Sequence, residues 1–405
     1  MNAKIIRDPV HGYIEMEDYA LRLLDSPVLQ RLRYVHQLGF SFLGFSFLVY
    51  PGANHTRFEH SLGTMFLADV ACRRFQLPED EHRLVVSDAL LHDIGHGPYS
   101  HASEPLMEQY LQRTHDEILP VIDDSTAGVL AEAGVDPEEV SQVVEGKLAL
   151  SDIIHGDFDV DRMAYLLRDA YYGAPYGTVD AQRLIRHLIR YPDGTVLDEN
   201  GVNAAESLLI ARTLMRPTVY YHHVSRIGES MFQIAALEHC AGMSGEERRQ
   251  FLRLDDAGCM HSLRMSKNPV SRGIALRLYE RRLYTRAIYT CSDRINPVTW
   301  QDGISLEKSR NLASQIAETA GIRAEEVLVD IPPIPREMPL GVRVQSRNAV
   351  TNFEELLPRI RTLNMTRREQ WRLGIYTVPE HRDAVGDAAC EVLHIKKPTR
   401  QGTLF

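Results

Sequence analysis

Cysteine is scarce in this 405-residue chain: 5 residues (Cys72, Cys240, Cys259, Cys291 and Cys390), scattered, odd in number and never in a Cys-x-x-Cys pair. That pattern argues against a disulfide framework and a cysteine zinc site, and for a reducing cytoplasm. Long apolar runs are lacking too; no window approaches 18 uninterrupted apolar residues, so no membrane span is expected. The first residues, Met1 to Asp8, become charged at once and lack the apolar stretch of a secretory signal. An excess of positive charge is also missing. The 45 basic and 55 acidic residues give a net charge of −10, a poor basis for non-specific nucleic-acid binding. What remains is ordinary globular composition, 44% hydrophobic and 25% charged, long enough for two or three domains.

Histidine is the departure. Seven of the 17 (His55, His60, His82, His92, His96, His101 and His115) fall between residues 55 and 115, and such clustering favours a metal or acid–base site. Apolar periodicity predicts helices over Arg57–Phe75, Glu81–Leu91, Asp159–Tyr172, Ala204–Met215, Glu229–Ala241 and Val270–Ile288. Strand signals are few: Thr195 to Leu197, Val327 to Val329 and Val342 to Val344. The expected fold is mainly α: a helical core with small β-hairpin additions and a mixed α/β C-terminal lobe. Gly242, Ser244 and Gly245 suggest a lobe boundary, dividing residues 1–240 from 241–405. The run Ile331 to Pro335 reads as an extended connector. Gly39 to Leu43 is repeated perfectly as Gly44 to Leu48, far too short a period for a repeat architecture; the second copy is expected to hold the register and the first to bulge.

Three segments carry the chemistry: Asn54 to Gly63, Leu90 to His101, and Asp157 to Tyr165. His92-Asp93 closes an apolar helix just before a Gly/Pro break, where the backbone can turn both side chains inward. Imidazole plus carboxylate suits a divalent ion such as Mn, Fe, Zn, Ni or Mg. Two ligands are too few; His60 and Asp161, each early in its own predicted helix, supply the others. Arg57 lies three residues before His60, on the same helical face, where it can meet a phosphate oxygen. Asp161, Tyr165, Arg168 and Asp169 share one helical face at i, i+4, i+7 and i+8, the lining of a site.

The pattern His60, His92-Asp93, Asp161 resembles the HD-domain metal-dependent phosphohydrolases, and within them the deoxynucleoside triphosphate triphosphohydrolase branch. The resemblance runs through Asp8-Pro9-Val10-His11-Gly12, Gln30-Arg31-Leu32-Arg33, Tyr50-Pro51-Gly52-Ala53, the three segments and Tyr220-Tyr221-His222-His223. It implies an HD helical core in the first 240 residues and His60, His92, Asp93 and Asp161 as metal ligands. It further implies His96, His101 and His115 as active-site histidines, with His115 protonating the leaving 5′-oxygen and Glu104 orienting it. Arg57, Arg162 and Tyr165 are assigned to phosphate, Asp169 to the sugar 3′-hydroxyl, Gln37 and Leu38 to the sugar, and Tyr220 to the sugar or base.

Asp25, Gln30 and Arg33 resemble a guanine-reading activator site, with Arg281 an activator-phosphate contact; GTP or dGTP is the implied effector and a homo-oligomer the implied assembly. Asp25 is alternatively the cap of a helix beginning at Pro27. Seven basic residues between Arg264 and Arg286 face one acid, Glu280: a solvated helix face, a phosphate cradle at a subunit junction, or a nucleic-acid surface. The expected reaction converts a dNTP to deoxynucleoside and inorganic triphosphate. The competing readings are an HD phosphatase or phosphodiesterase acting on monophosphates or cyclic dinucleotides, and a nucleotide-sensing or nucleic-acid-binding module.

Overall fold

The computed structural model describes residues 4–39, 50–191, 194–295, 300–335, 338, 342–347 and 349–396. The duplicated pentapeptides, apart from Gly39, lie outside the described residues, and with them the expectation about their register.

The chain opens with an antiparallel hairpin, β1 (Lys4–Asp8) and β2 (Gly12–Met16), followed by α1 (Asp18–Leu24) and α2 (Pro27–Arg31). The long helix α3 (Arg57–Phe75) has the predicted bounds, because Thr56 begins it: the Glu59 carboxylate accepts from the Thr56 N–H at 2.7 Å, satisfying a donor the helix leaves orphaned. Next is α4 (Glu79–Leu91), started by Pro78 and three acids in its first turn, which suit the positive end of the helix dipole. All eight residues from Leu84 to Leu91 are buried, so α4 runs through the core and delivers His92 and Asp93 at its end. Then come α5 (Glu104–Leu111), α6 (Asp124–Glu132), α7 (Pro137–Val144), α8 (Asp152–His155) and α9 (Val160–Tyr172). Asp159 caps α9, accepting from the Arg162 N–H at 2.7 Å. Helix α3 packs against both α4 and α9, which brings all three motif segments to one place.

After α10 (Ala181–His187), β3 (Leu188–Tyr191) and β4 (Gly194–Asp198) pair antiparallel, the latter covering the predicted Thr195–Leu197 strand. Four long helices or helix pairs follow: α11 (Val202–Met215), α12 (His223–Cys240), α13 (Gly245–Phe251) with α14 (Asp256–Arg264), and α15 (Pro269–Tyr279). The helix expected to run to Ile288 stops at Tyr279. Arg281 adopts a left-handed φ of 59°, the Arg282 N–H reaches back to the Arg277 carbonyl at 2.8 Å, and the chain leaves as β5 (Thr285–Thr290). The remainder is α16 (Leu306–Ala320), β6 (Val327–Asp330), β7 (Arg343–Gln345), β8 (Val350–Asn352), α17 (Phe353–Leu356), α18 (Arg359–Glu369), β9 (Leu373–Thr377) and α19 (Arg382–Val392).

The fold is mainly α with small sheets, as expected. Besides the β1-β2 hairpin, one sheet has the order β3-β4-β7-β8 and another β5-β9-β6. The largest core gathers apolar residues from Ile14 to Val219 and then takes in Met338, Val344, Phe353 and Ile360, so α17 and α18 return to the N-terminal half. A second core surrounds α12 and α15, and a third fills the α16–α19 lobe. Among the described residues no helix is long and apolar enough to cross a membrane.

Candidate metal and acid–base centre

Four of the predicted side chains meet at one point. His60 Nε2 lies 2.9 Å from Asp161 Oδ1 and 3.6 Å from Asp93 Oδ2, while His92 Nε2 lies 3.6 Å from Asp93 Oδ1 and 3.7 Å from Asp161 Oδ1. The two Nε2 atoms are 3.3 Å apart. Around an ion with bonds of ~2.1 Å, neighbouring ligand atoms sit ~3.0–3.4 Å from one another; the two Nε2 atoms have that separation, His60, His92 and Asp93 have ligand-like mutual spacing, and Asp161 Oδ1 flanks both histidines. The tautomer agrees. His92 Nδ1 lies 3.0 Å from the Ala89 carbonyl, to which it can only donate, leaving Nε2 with its lone pair toward the cluster. Burial lowers the His92 pKa, yet Asp93 and Asp161 outweigh it and raise it to about 9. Two carboxylates here, Asp93 buried and Asp161 partly so, call for a positive partner, and a divalent cation would supply it in place of protons. The donor set of two imidazoles and two carboxylates fits such an ion.

Arg57 adjoins this cluster, its Nη1 donating to Asp93 Oδ2 at 2.6 Å and its Nε to Ser100 Oγ at 2.7 Å. Ser100 passes the chain on by donating to the His36 carbonyl at 2.7 Å. Ser100 and the preceding Tyr99 both hold left-handed φ values, 58° and 61°, unusual for residues with side chains. Sequence reading gave Ser100 no role; only the bend at Gly97-Pro98 hinted at one.

A second cluster abuts the first. His96 Nε2 lies 3.2 Å from Asp93 Oδ1, and the His96 ring stacks on His115 with centroids 3.9 Å apart. Glu104 pairs with His115 Nδ1 and, at 3.2 Å, with His101 Nδ1. These four side chains also have ligand-like spacing. Burial lowers the His115 pKa, but the hydrogen bond and charge of Glu104 prevail and hold it above the ordinary range. Burial, Arg57 and His115 together hold His96 well below it. Of the two stacked imidazoles, His115 therefore holds a proton more readily than His96. Gly95 makes the approach feasible: a β-carbon there would stand 2.0 Å from the His115 carbonyl oxygen.

A third group sits one to two turns along α9. Asp169 accepts from His55 Nε2 at 2.6 Å and from the Tyr220 hydroxyl at 2.7 Å, and the Tyr220 and Tyr165 rings meet edge to face at 6.0 Å. The Gln37 N–H donates to the His55 carbonyl at 3.2 Å, and Leu38 packs on the main core nearby. His55, singled out only as one of the clustered histidines, thus fixes the predicted Asp169.

Other expected residues point elsewhere. Arg168 does not line the site with its stripe; its Nη2 donates to Asp8 Oδ2 at 2.8 Å in a fully buried pair, because the β1–β2 turn docks on that side of α9. Arg162 turns back onto Asp159 Oδ2 at 2.7 Å and the Gly156 carbonyl. Asp25 does not cap α2: it ends α1, and Ser26 holds the N-cap position. Gln30 Nε2 donates to the Leu24 carbonyl at 2.8 Å, Arg33 lies over the Phe58 ring at 4.3 Å, and Arg281 terminates α15. Several of the basic run settle within the same stretch of chain: Arg264 of α14 lies over the Tyr279 ring of α15 at 3.7 Å, and Arg282 pairs with Glu280 just past α15.

Comparison with known proteins decides the family. The HD domain profile matches residues 57–170, and the HD associated region matches residues 179–404. The chain belongs to the HD-domain family. It is 32% identical over 384 residues to an uncharacterized protein of Methanocaldococcus jannaschii, covering 93% of this chain and 80% of that one. It is 30% identical over 362 residues to the deoxynucleoside triphosphate triphosphohydrolase SAMHD1 homolog of Dictyostelium discoideum, covering 81% of this chain and 67% of that one. A hypothetical protein from Aquifex aeolicus, of known crystal structure, superposes with a TM-score of 0.73 at 30% identity, covering 96% of this chain and all of that one (100%). The chain is accordingly a metal-dependent phosphohydrolase of the HD family.

Proposed function

We propose that the protein hydrolyses deoxynucleoside triphosphates to deoxynucleoside and inorganic triphosphate. One observation carries the reading: the His60, His92, Asp93 and Asp161 donors and the His115–Glu104 pair stand side by side, joined where Asp93 Oδ1 lies 3.2 Å from His96 Nε2. Hydrolysis of a phosphate ester needs both an electrophilic centre and a proton for the leaving oxygen.

His60, His92, Asp93 and Asp161 would hold the ion. Bound there, a divalent ion supplies a water whose pKa falls toward ~7 and polarises a phosphoryl oxygen. Arg57, anchored by Asp93 and Ser100, and Tyr165 would present donors to the phosphates, and Arg162 would join them by turning from Asp159 and the Gly156 carbonyl. Water adds to the α-phosphorus as the bond to O5′ breaks, and the His115 imidazolium gives its proton to that oxygen. His96, stacked on His115 with its pKa held well below the ordinary range, leaves the proton where Glu104 holds it, and His101 braces the far side of Glu104. Asp169, already accepting from His55 and Tyr220, retains lone pairs for a sugar 3′-hydroxyl. Gln37 and Leu38 lie beside His55, where they would limit the room at the sugar.

The same reading includes a guanine-nucleotide activator held by Asp25, Gln30, Arg33 and Arg281 of assembled subunits. A GTP or dGTP titration should raise dATP hydrolysis and the molar mass together, since a bridging ligand favours assembly by mass action.

The reading is tested by incubating the metal-loaded protein with each dNTP and rNTP and resolving the products. Deoxynucleoside plus triphosphate supports it. Stepwise release of orthophosphate, or activity confined to monophosphates or cyclic dinucleotides, would replace it with the phosphatase or phosphodiesterase alternative.

A further inference from the structure

Asp256 opens α14, within the stretch matched by the HD associated region, and only 3% of it is exposed. Its own helix does not need it. Asp255 holds the N-cap position and accepts from the Gly258 N–H at 2.7 Å, which leaves the Asp256 carboxylate to face another part of the chain. It faces two separate segments of the N-terminal half. Oδ2 accepts from the His36 N–H at 3.0 Å and lies 2.8 Å from His36 Nδ1, while Oδ1 accepts from the Tyr99 N–H at 2.6 Å. The Tyr99 hydroxyl in turn donates to the Asp256 carbonyl at 2.7 Å. The seat of α14 is itself tied down: Arg31 of α2 donates from Nε to the Arg253 carbonyl at 2.8 Å and from Nη2 to the His96 carbonyl at 2.6 Å.

The two segments that Asp256 joins lie against each other. Ser100 Oγ donates to the His36 carbonyl, and Gly39, with a φ of 48°, comes so close that a β-carbon there would stand 2.5 Å from the Tyr99 carbonyl oxygen. On its other side the same strip pairs with the chain entering α3: the Arg57 N–H donates to the Val35 carbonyl at 2.9 Å, and the Gln37 N–H to the His55 carbonyl. Residues 35–39 therefore run between the His55–Arg57 segment and the Tyr99–Ser100 turn, with Gln37 and Leu38 directly after the pinned His36. The left-handed φ values of Tyr99 and Ser100 persist only where the surroundings hold them, and Asp256 holds Tyr99 at both its N–H and its hydroxyl.

We propose that Asp256 is a positioning residue for the sugar side of the site: by clamping His36 to the Tyr99–Ser100 turn it fixes Gln37 and Leu38, so that discrimination between deoxy- and ribonucleotides depends on the HD associated region. This rests on the dNTP reading of the function, in which Gln37 and Leu38 limit the room at the sugar. A 2′-hydroxyl is kept out by want of space, and a strip free to move outward gives it that space.

Asp256→Asn has one acceptor oxygen where the carboxylate has two, so it can serve His36 or Tyr99 and not both. Amide hydrogen exchange, read by mass spectrometry on the metal-loaded full chain without nucleotide, should quicken over residues 35–39 and 99–100 in this variant. Exchange in α9 and metal content should match the wild type. The kcat/KM values for dATP and ATP are then compared. A looser Ser100 also loosens Arg57 and slows both nucleotides alike, whereas displacement of Gln37 and Leu38 alters their ratio; the preference for dATP should fall about 10-fold. Gly39→Ala drives the strip from Tyr99 without touching α14 and should move the ratio the same way, so the test survives an Asp256→Asn that does not fold. Unchanged exchange over both segments in Asp256→Asn would overturn the clamp. Faster exchange with an unchanged dATP-to-ATP ratio in both variants would overturn the specificity role. A wild type that cleaves neither nucleotide, beside the expected exchange in Asp256→Asn, would instead overturn the dNTP reading and keep the clamp.

Discussion

The His115 carbonyl oxygen stands where the β-carbon of residue 95 would be, 2.0 Å from that position, and Gly95 is what lets it stand there. The glycine thus sets the distance between the end of α4, with the proposed metal ligands His92 and Asp93, and the loop that carries His115, the proposed proton donor.

Gly95→Ala should therefore push the His115 loop away while leaving His60, His92, Asp93 and Asp161 in place. We expect bound metal near the wild-type level and turnover reduced by about 10²-fold, the size of effect an ångström of misplacement produces. Metal analysis beside a steady-state assay checks it; full activity would mean that His115 need not lie so close.

Removing a ligand has the opposite signature. Asp161→Ala or His92→Ala should lose both hydrolysis and metal, with circular dichroism showing the helices retained. Full activity with metal still bound in either variant would remove the ligand assignment.

The Glu104–His115 pair makes a pH prediction. His115 must carry its proton to act as an acid, so the rate falls as pH rises through its raised pKa. In Glu104→Gln the negative partner is gone, the imidazole pKa drops, and the alkaline limb of kcat moves to lower pH. A limb that stays put would assign the titration to another group.

Capped, strongly patterned elements could be read directly. Helix α3 begins at its Thr56–Glu59 box and α9 at Asp159, so the places of His60 and Asp161, the proposed ligands three and one residues inside them, follow. The start of α2 at Pro27 was legible, the role of Asp25 was not, because Ser26 takes the cap. The end of α15 was hidden because Arg281, a residue with no special turn chemistry, adopts the left-handed conformation. Longer-range partners could not be read at all. Arg168 has the spacing of a site residue, yet Asp8, 160 residues away in sequence, claims it. Arg359 of α18 pairs with Glu206 of α11 at 3.2 Å only because α17 and α18 return to the first core. Local periodicity specifies a face of a helix; which neighbour arrives there depends on the whole chain.

The Asp8–Arg168 pair joins the N-terminal hairpin to the helix that carries Asp161, and Asp8 Oδ1 also accepts from the Val10 and His11 N–H groups at 2.9 and 2.8 Å. Asp8→Ala strands a buried guanidinium and should cost about 3–5 kcal/mol in urea unfolding. The double variant Asp8→Ala/Arg168→Met should recover part of that loss. A single variant as stable as the wild type would show the pair to be dispensable.

The central claim concerns which bond breaks. Hydrolysis of dATP in H₂¹⁸O by the metal-loaded protein, with products weighed by mass spectrometry, tests it most directly. Attack at the α-phosphorus with cleavage toward O5′ puts one ¹⁸O into inorganic triphosphate and none into deoxyadenosine. Label in the deoxyadenosine, or in orthophosphate or diphosphate accompanied by a shortened nucleotide, would contradict the account.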